Sequence, residues 1–144
     1  MRTHSPRSGL TLAELILVVV IVGLTLLVGL GQLHLYLDRI ATRDAVRAAG
    51  NVVERARDEA VALRSPVSVK IDTSTATLEL LSRGLALGKT PLGVLHGVAI
   101  STTRDSITFD VRGLGYGAAN LTLVARRGRA TDTLVVSRLG RVRY

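Results

Sequence analysis

The distribution of apolar and polar positions divides the chain into three stretches with different periods. Residues 10–37 are apolar almost throughout, and no charged side chain occurs between positions 15 and 37. A helix that spans the hydrocarbon core of a bilayer needs about 20 such residues, so the pattern predicts a membrane-spanning helical segment. The preceding residues 1–9 carry two arginines and no acidic residue, which predicts a cytoplasmic N-terminus. A secretory signal is disfavoured because no small-x-small cleavage motif closes the apolar run.

The second stretch, residues 38–64, repeats apolar side chains at intervals of three and four. This spacing is typical of an amphipathic helix with one face on a protein core, and Pro66 ends it. The apolar side chains that follow this spacing, beginning just before the stretch, are Leu37, Ile40, Ala41, Ala45, Ala48, Val52, Ala56, Ala60 and Leu63. Gly50 marks either a bend or a tolerated helix-interior glycine. Together with the apolar segment, the pattern predicts one long helix over residues 10–64.

The third stretch, residues 65–144, changes to the period of two that characterises half-buried strands. Strands are predicted at 67–71, 75–81, 98–101, 106–111, 121–125 and 133–137, with a turn at 72–74. Glycine and proline interrupt residues 85–97, for which no regular element is predicted. The sequence therefore predicts an α+β fold, in which a long N-terminal helix packs on the antiparallel β-sheets of a globular head.

Composition narrows the classes of function. The 144 residues are 47% apolar and carry a net charge of +8, but include no cysteine and only 3% aromatic residues. These values exclude a disulfide scaffold and a cysteine-ligated metal site, and they disfavour an aromatic platform for stacking bases. The three histidines are isolated, and no nucleophile–base set stands out. We therefore expect neither an enzyme nor a bound cofactor.

Glu14 is the one charged residue in the apolar segment. An ionisable group inside a spanning helix costs a few kcal/mol and indicates a function, unless it lies in the first turn at the interface, where the helix dipole favours it. Residues 8–15 (SGLTLAEL) resemble the class III signal of type IV pilins and type II secretion pseudopilins. The short basic leader, the glycine, the glutamate and the long apolar helix all agree with that family.

The resemblance implies how the N-terminus is processed. A prepilin peptidase would cleave between Gly9 and Leu10, remove the leader 1–9 and leave Leu10 to be methylated. The family usually has phenylalanine where this chain has Leu10. Glu14 would be the fifth mature residue, and its carboxylate would pair with the amine of Leu10 in a neighbouring subunit. The resemblance thus implies a bacterial inner-membrane protein, embedded in lipid with its head in the periplasm, that assembles with other pilins or pseudopilins into a filament.

The C-terminal half indicates a subfamily. Residues 107–113 (ITFDVRG) and 135–143 (VVSRLGRVR) resemble the head shared by type II secretion protein H and the FimT-type minor pilins. Two functions are therefore implied. One is a minor pseudopilin in the type II secretion pseudopilus, which serves protein secretion. The other is a minor type IV pilin that binds double-stranded DNA for uptake in natural transformation.

Positive charge is concentrated at the C-terminus, where residues 104–144 carry eight arginines against three aspartates. Arginine makes fork-shaped contacts with phosphate oxygens, and such binding would depend strongly on salt. The candidate DNA-binding residues are Arg126, Arg127, Arg129, Arg138, Gly140, Arg141 and Arg143. Residues Gly140 to Arg143 match the Gly-Arg-x-Arg ending that is associated with DNA capture in FimT-type pilins. The alternative is that these arginines solvate the head or pair with acidic subunits.

Overall fold

A computed structural model describes residues 11–116 and 120–144, apart from the side chains of Val28 and Leu30. The predicted cleavage site between Gly9 and Leu10 lies outside these residues. The chain divides into two compact units, Met1–His34 and Leu35–Tyr144.

Helix α1 (Leu12–Ala62) runs through both units and confirms the long predicted helix. It shows no interruption at Gly50. In the first unit, every described side chain is exposed, and the helix contains a window with a mean hydropathy of 2.8. By length and composition, this helix can cross a membrane.

The end of α1 is closed by hydrogen bonds that satisfy its last carbonyls. The N–H of Arg64 donates to the carbonyl of Val61 and that of Ser65 to the carbonyl of Ala60, both at 3.3 Å. Arg64 has a φ of +47°. This pattern is a Schellman motif, in which a left-handed residue turns the chain out of the helix. The chain then enters the first strand at once.

The second unit contains two four-stranded antiparallel sheets. The first has the order β3-β2-β1-β5 and the second the order β4-β6-β7-β8. The elements are β1 (Val67–Asp72), β2 (Thr77–Ser82), β3 (Leu85–Pro91), α2 (Leu92–His96), β4 (Ala99–Thr102), β5 (Ser106–Phe109), β6 (Leu121–Arg127), β7 (Ala130–Val136) and β8 (Val142–Arg143). The α+β fold predicted from the sequence is confirmed.

The prediction of no regular element over 85–97 is wrong, because β3 and α2 occupy most of it. Strand β3 pairs with β2 through a bulge: Leu80 faces Gly88 while Leu81 faces Ala86, so Leu87 is unpaired. A bulge shifts the alternation of side chains by one residue and thereby hides the period of two. Pro91 is tolerated because β3 is an edge strand.

The core of the second unit lies between α1 and the two sheets. The helix contributes small side chains, with Ala45, Ala49, Ala56 and Ala60 all fully buried. Larger side chains from the strands fill the space between these alanines and the sheets. Leu78, Phe109, Leu121, Leu123 and Leu134 are at most 1% exposed. The predicted apolar face agrees with this core only in part: Ala41, Ala45, Ala56 and Ala60 are buried, whereas Leu37, Ile40 and Leu63 are exposed.

Candidate assembly and phosphate-binding sites

Glu14 lies in the first turn of α1, and its carboxylate caps the helix. Its Oε2 accepts hydrogen bonds from the backbone N–H (2.9 Å) and the hydroxyl (3.0 Å) of Thr11. The N–H of Glu14 in turn points at the Thr11 hydroxyl, at 3.3 Å. This reciprocal arrangement is a capping box. Both bonds end on Oε2, so Oε1 has no partner among the residues that the structure describes.

The candidate phosphate-binding arginines fall into two groups at opposite ends of strand β7. Arg126, Arg127 and Arg129 adjoin its first residue, Ala130, whereas Arg138 follows its last residue. Seven residues of strand span about 20 Å. The phosphate-binding patch predicted from the sequence therefore combines arginines that the fold separates onto two surfaces.

The first group forms the basic hairpin, residues 126–129, between β6 and β7. Arg127 pairs with Ala130 across a two-residue loop. Gly128 has a φ of +54° in the first loop position, as in a type II′ turn. The alternation of buried and exposed positions along β6 places Arg126 on the outer face of the sheet.

Arg127 of this hairpin is held by the fold. Its Nε lies 3.1 Å from Oδ1 of Asp38 on α1, and its Nη1 donates to the carbonyl of His96, at the end of α2, at 2.8 Å. Gly128 lies so close to the Asp38 carboxylate that a Cβ there would be 2.5 Å from Oδ2. The hairpin, α1 and α2 thus meet at one ion pair.

The second group forms the C-terminal hairpin, residues 137–143, between β7 and β8. The N–H of Gly140 donates to the carbonyl of Ser137 (2.8 Å), and the N–H of Ser137 to the carbonyl of Arg141 (2.9 Å). With Gly140 at a φ of +72°, this is a three-residue loop of the type that ends in a left-handed residue. The side chains of Arg138, Arg141 and Arg143 are exposed.

Gly140 is buried and faces the protein interior. A Cβ at this position would lie 3.0 Å from Phe109 Cε1 and 3.5 Å from Arg57 Cδ. The absence of a side chain at Gly140 therefore allows the C-terminal hairpin to pack closely on the core.

The surroundings of the C-terminal hairpin carry both signs of charge. Arg141 and Arg143 line a depression together with Arg57, Glu54 and Asp58, so three arginines there face two carboxylates. The depression has a small positive excess rather than a strongly positive surface.

Arg138 borders a second depression, together with Arg112 and Asp110. Asp110 accepts the backbone N–H groups of Leu114 and Arg112, each at 2.9 Å, and these bonds, that of Leu114 foremost, hold its pKa below its ordinary value. Asp110 therefore stays ionised beside Arg112 at neutral pH.

Sequence reasoning missed two residues that organise these surfaces. Asp38 is one of several nearly balanced charges on the helix, and its partner Arg127 is remote in sequence. Gly50 is close to the C-terminal residue, because a Cβ there would overlap the hydroxyl of Tyr144. Neither contact can be predicted from neighbouring residues in the sequence, because each joins residues that are remote along the chain. In the described part of the chain, no cluster of His, Asp and Glu is arranged to hold a metal ion.

Comparison with known proteins finds relatives in one family. No family model matches the chain. The pilin-like protein PilA1 of Thermus thermophilus is 32% identical over 154 residues, covering 95% of this chain and 97% of that protein.

Solved structures share the fold at lower identity. The type IV minor pilin FimU of Pseudomonas aeruginosa has a TM-score of 0.62 at 19% identity, covering 75% of this chain and 90% of that one. The minor pseudopilin EpsH of the Vibrio cholerae type II secretion system has a TM-score of 0.58 at 15% identity, covering 71% of this chain and 94% of that one. Because it is 32% identical to PilA1 over 95% of its length, the chain belongs to the family of pilin-like proteins.

Proposed function

We propose that this chain is a minor pilin-like subunit of the pseudopilin H type, which assembles through its N-terminal helix into the periplasmic pseudopilus of a type II secretion system. It is inserted in the bacterial inner membrane with its head in the periplasm. A prepilin peptidase removes residues 1–9, and the new N-terminus at Leu10 is methylated. The subunit acts by assembly with other pseudopilins and not as an enzyme. The observation that carries the proposal is the position of Glu14 in the first turn of α1, on an apolar segment that is otherwise uncharged and is exposed in its described part up to His34.

The exposure of the first part of α1 requires a partner. Side chains such as Leu12 (76% exposed) and Leu27 (74%) would cost free energy in water, and lipid or neighbouring apolar helices remove that cost. A charged group in such surroundings needs an opposite charge. Oε1 of Glu14 can accept a hydrogen bond from the Leu10 amine of a neighbouring subunit, while Oε2 keeps its hydrogen bonds with Thr11. The carboxylate would then set the register of subunits in the filament.

Two substitutions separate the roles of cap and ion pair. In Glu14→Gln the amide oxygen still accepts the Thr11 hydrogen bonds, but the charge is gone. In Thr11→Ala the charge and the backbone N–H bond to Glu14 stay, but both hydrogen bonds of the Thr11 hydroxyl are lost, at a cost of about 1 kcal/mol to the helix. We expect Glu14→Gln to remain in the membrane fraction and to be lost from filaments, whereas Thr11→Ala is incorporated normally.

The readouts are the amounts of the chain in membranes and in sheared filaments of the producing cells. Normal incorporation of Glu14→Gln, together with failure of Thr11→Ala, would show that the carboxylate acts as a helix cap and would refute the proposed assembly mechanism.

A second candidate function is DNA binding in the manner of a FimT-type minor pilin. The observation in its favour is the exposed set Arg138, Arg141 and Arg143 on the C-terminal hairpin, whose backbone is fixed by Gly140. A fixed backbone lowers the entropy that is lost when arginines on it bind phosphate. Glu54 and Asp58 beside them act against this function, because they lower the positive potential.

The test is a titration of the full chain, held in phosphatidylcholine nanodiscs, with duplex DNA of mixed sequence. Arg141→Gln/Arg143→Gln is expected to weaken binding and to reduce the salt slope by about 2, since each phosphate contact contributes about 0.9. Arg126→Gln/Arg129→Gln is the control, because it removes the same charge from the other end of β7. Equal weakening by both pairs, or no binding at low salt, would exclude a specific role of the C-terminal hairpin.

A further inference from the structure

We propose that the basic hairpin and helix α2 form a surface that docks the head on anionic phospholipid headgroups of the membrane in which its own helix is anchored. The inference rests on the proposed membrane anchoring and adds a lipid-binding site to it. It concerns the subunit before assembly, when the head is the part of the chain next to the bilayer.

Three elements meet in this surface. Arg127 joins the hairpin to Asp38 of α1 through the 3.1 Å ion pair and to the end of α2 through the His96 carbonyl, at 2.8 Å. Its guanidinium also lies against Gly97, where a Cβ would be 3.4 Å from Nη1. The surface is therefore a rigid part of the head, and its position is fixed by Asp38.

Asp38 occupies a special place along α1. It is the first charged residue after Glu14 and directly follows Leu37, the last residue of the apolar segment. Groups that contact Asp38 lie where the chain changes from apolar to polar, which is the level of lipid headgroups for a spanning helix. Tyr36, 61% exposed, agrees with this level, because tyrosine is enriched at the interface.

Helix α2 supplies exposed apolar side chains to the proposed docking surface. Val94 is 83% exposed and Leu95 is 62% exposed, while Leu92 of the same turn is fully buried and fixes α2 to the core. Side chains of this kind insert shallowly between headgroups. A DNA duplex would gain little from them, because its affinity comes mainly from phosphate contacts.

The charged side chains give the proposed docking surface a net positive charge. Arg126, Arg127 and Arg129 belong to the hairpin, and Asp38 pairs with Arg127, which leaves Arg126 and Arg129 as an excess of two positive charges. Arg126 and Arg129 are exposed, and no salt bridge engages either of them in the part of the chain that the structure describes. A cationic rim beside exposed apolar side chains fits an anionic bilayer surface.

The absence of cysteine in the sequence permits a direct test. Val94→Cys in the full chain carries an environment-sensitive fluorophore, and the protein is placed in nanodiscs of phosphatidylcholine alone or mixed with phosphatidylglycerol. We expect blue-shifted emission and protection from aqueous iodide with phosphatidylglycerol, and loss of both in high salt. Adding Arg126→Gln/Arg129→Gln should reduce the docking equilibrium about 30-fold, since each arginine near an anionic surface contributes about fivefold.

The matched control is Arg141→Gln/Arg143→Gln, which removes the same charge from the C-terminal hairpin and should leave docking unchanged. Equal emission in both lipids, or equal effects of the two pairs, would overturn the proposal. So would loss of duplex DNA binding in phosphatidylcholine nanodiscs on Arg126→Gln/Arg129→Gln alone, because the partner would then be nucleic acid. Failure to co-purify with nanodiscs would contradict the membrane anchoring as well, whereas a docking failure in a chain that co-purifies leaves the proposed function intact.

Discussion

Gly140 combines two requirements that no other residue satisfies at its position. Its φ of +72° is in the left-handed region, and the space in front of its Cα is closed by Phe109. A side chain would therefore strain the backbone and press on a ring that is fully buried. The glycine of the Gly-Arg-x-Arg ending is explained by the fold, whether or not the adjoining arginines bind phosphate.

Replacement of this glycine tests the explanation. Gly140→Ala should reduce the free energy of unfolding by about 1–3 kcal/mol, the usual cost of a strained backbone position. The control is Gly88→Ala, since Gly88 has nothing within 4 Å of its Cβ position and no positive φ; it should change stability by less than about 0.5 kcal/mol. The measurement is thermal unfolding of the full chain in detergent. Similar destabilisation by Gly140→Ala and Gly88→Ala would contradict this explanation of Gly140.

At the scale of elements, the turn between β1 and β2 depends on one carboxylate. Oδ1 of Asp72 accepts the hydroxyl (2.6 Å) and the N–H (2.9 Å) of Ser74, and Oδ2 accepts the hydroxyl of Thr75 (2.8 Å). These bonds, the Ser74 hydroxyl foremost, lower the pKa of Asp72 from 3.8 to about 2. The ionised form is thus favoured in the folded state over the unfolded state.

The sign of the pH dependence follows. Because the folded pKa is the lower one, the carboxylate stabilises the fold above about pH 4, and this contribution is lost as the pH falls towards 2. Asp72→Asn should therefore show a smaller decrease in melting temperature between pH 4 and pH 2 than the parent. Thr73→Ala, at an exposed position of the same turn, removes no titrating group and should retain the parent dependence. Parallel curves for Asp72→Asn and the parent would refute the assignment.

Local sequence predicted some elements and missed others for identifiable reasons. The long helix and the alternation in β1 and β6 are set by side chains within one element, so their periods are visible in the chain. Strand β3 escaped because its bulge shifts the alternation and its hairpin loop is Arg83-Gly84, which is not one of the common turn pairs. Strand β8 has two residues, too few to show any period.

At the scale of the whole molecule, the core belongs to the second unit alone. Among the described residues, every buried apolar side chain lies at Ala41 or later, and the two sheets pack on the part of α1 that belongs to the unit Leu35–Tyr144. No described side chain of the apolar segment is among the buried residues of this core. Removal of that segment should leave the packing of the head unchanged.

Two truncations test this independence. A chain of residues 35–144 should be soluble and should unfold cooperatively, because it keeps the whole described core. A chain of residues 51–144 lacks the buried Ala45, Val46 and Ala49 and should lose cooperative unfolding, since burial of each such side chain contributes on the order of 1 kcal/mol or more. Circular dichroism during thermal unfolding distinguishes the two. Loss of cooperativity already in 35–144 would show that the apolar segment supports the head.

The sequence by itself determined the helix, the α+β class and the resemblance to pilins, and it marked Glu14 as a candidate site, because these depend on periodicity and on motifs of adjacent residues. Tertiary structure decided which of the candidate arginines lie together. It separated Arg126 and Arg129 from Arg141 and Arg143 by the length of β7, engaged Arg127 with Asp38, and used Gly140 for packing. Strand pairing and packing join residues that are remote along the chain, and such contacts depend on register and side-chain geometry that a single sequence does not encode locally.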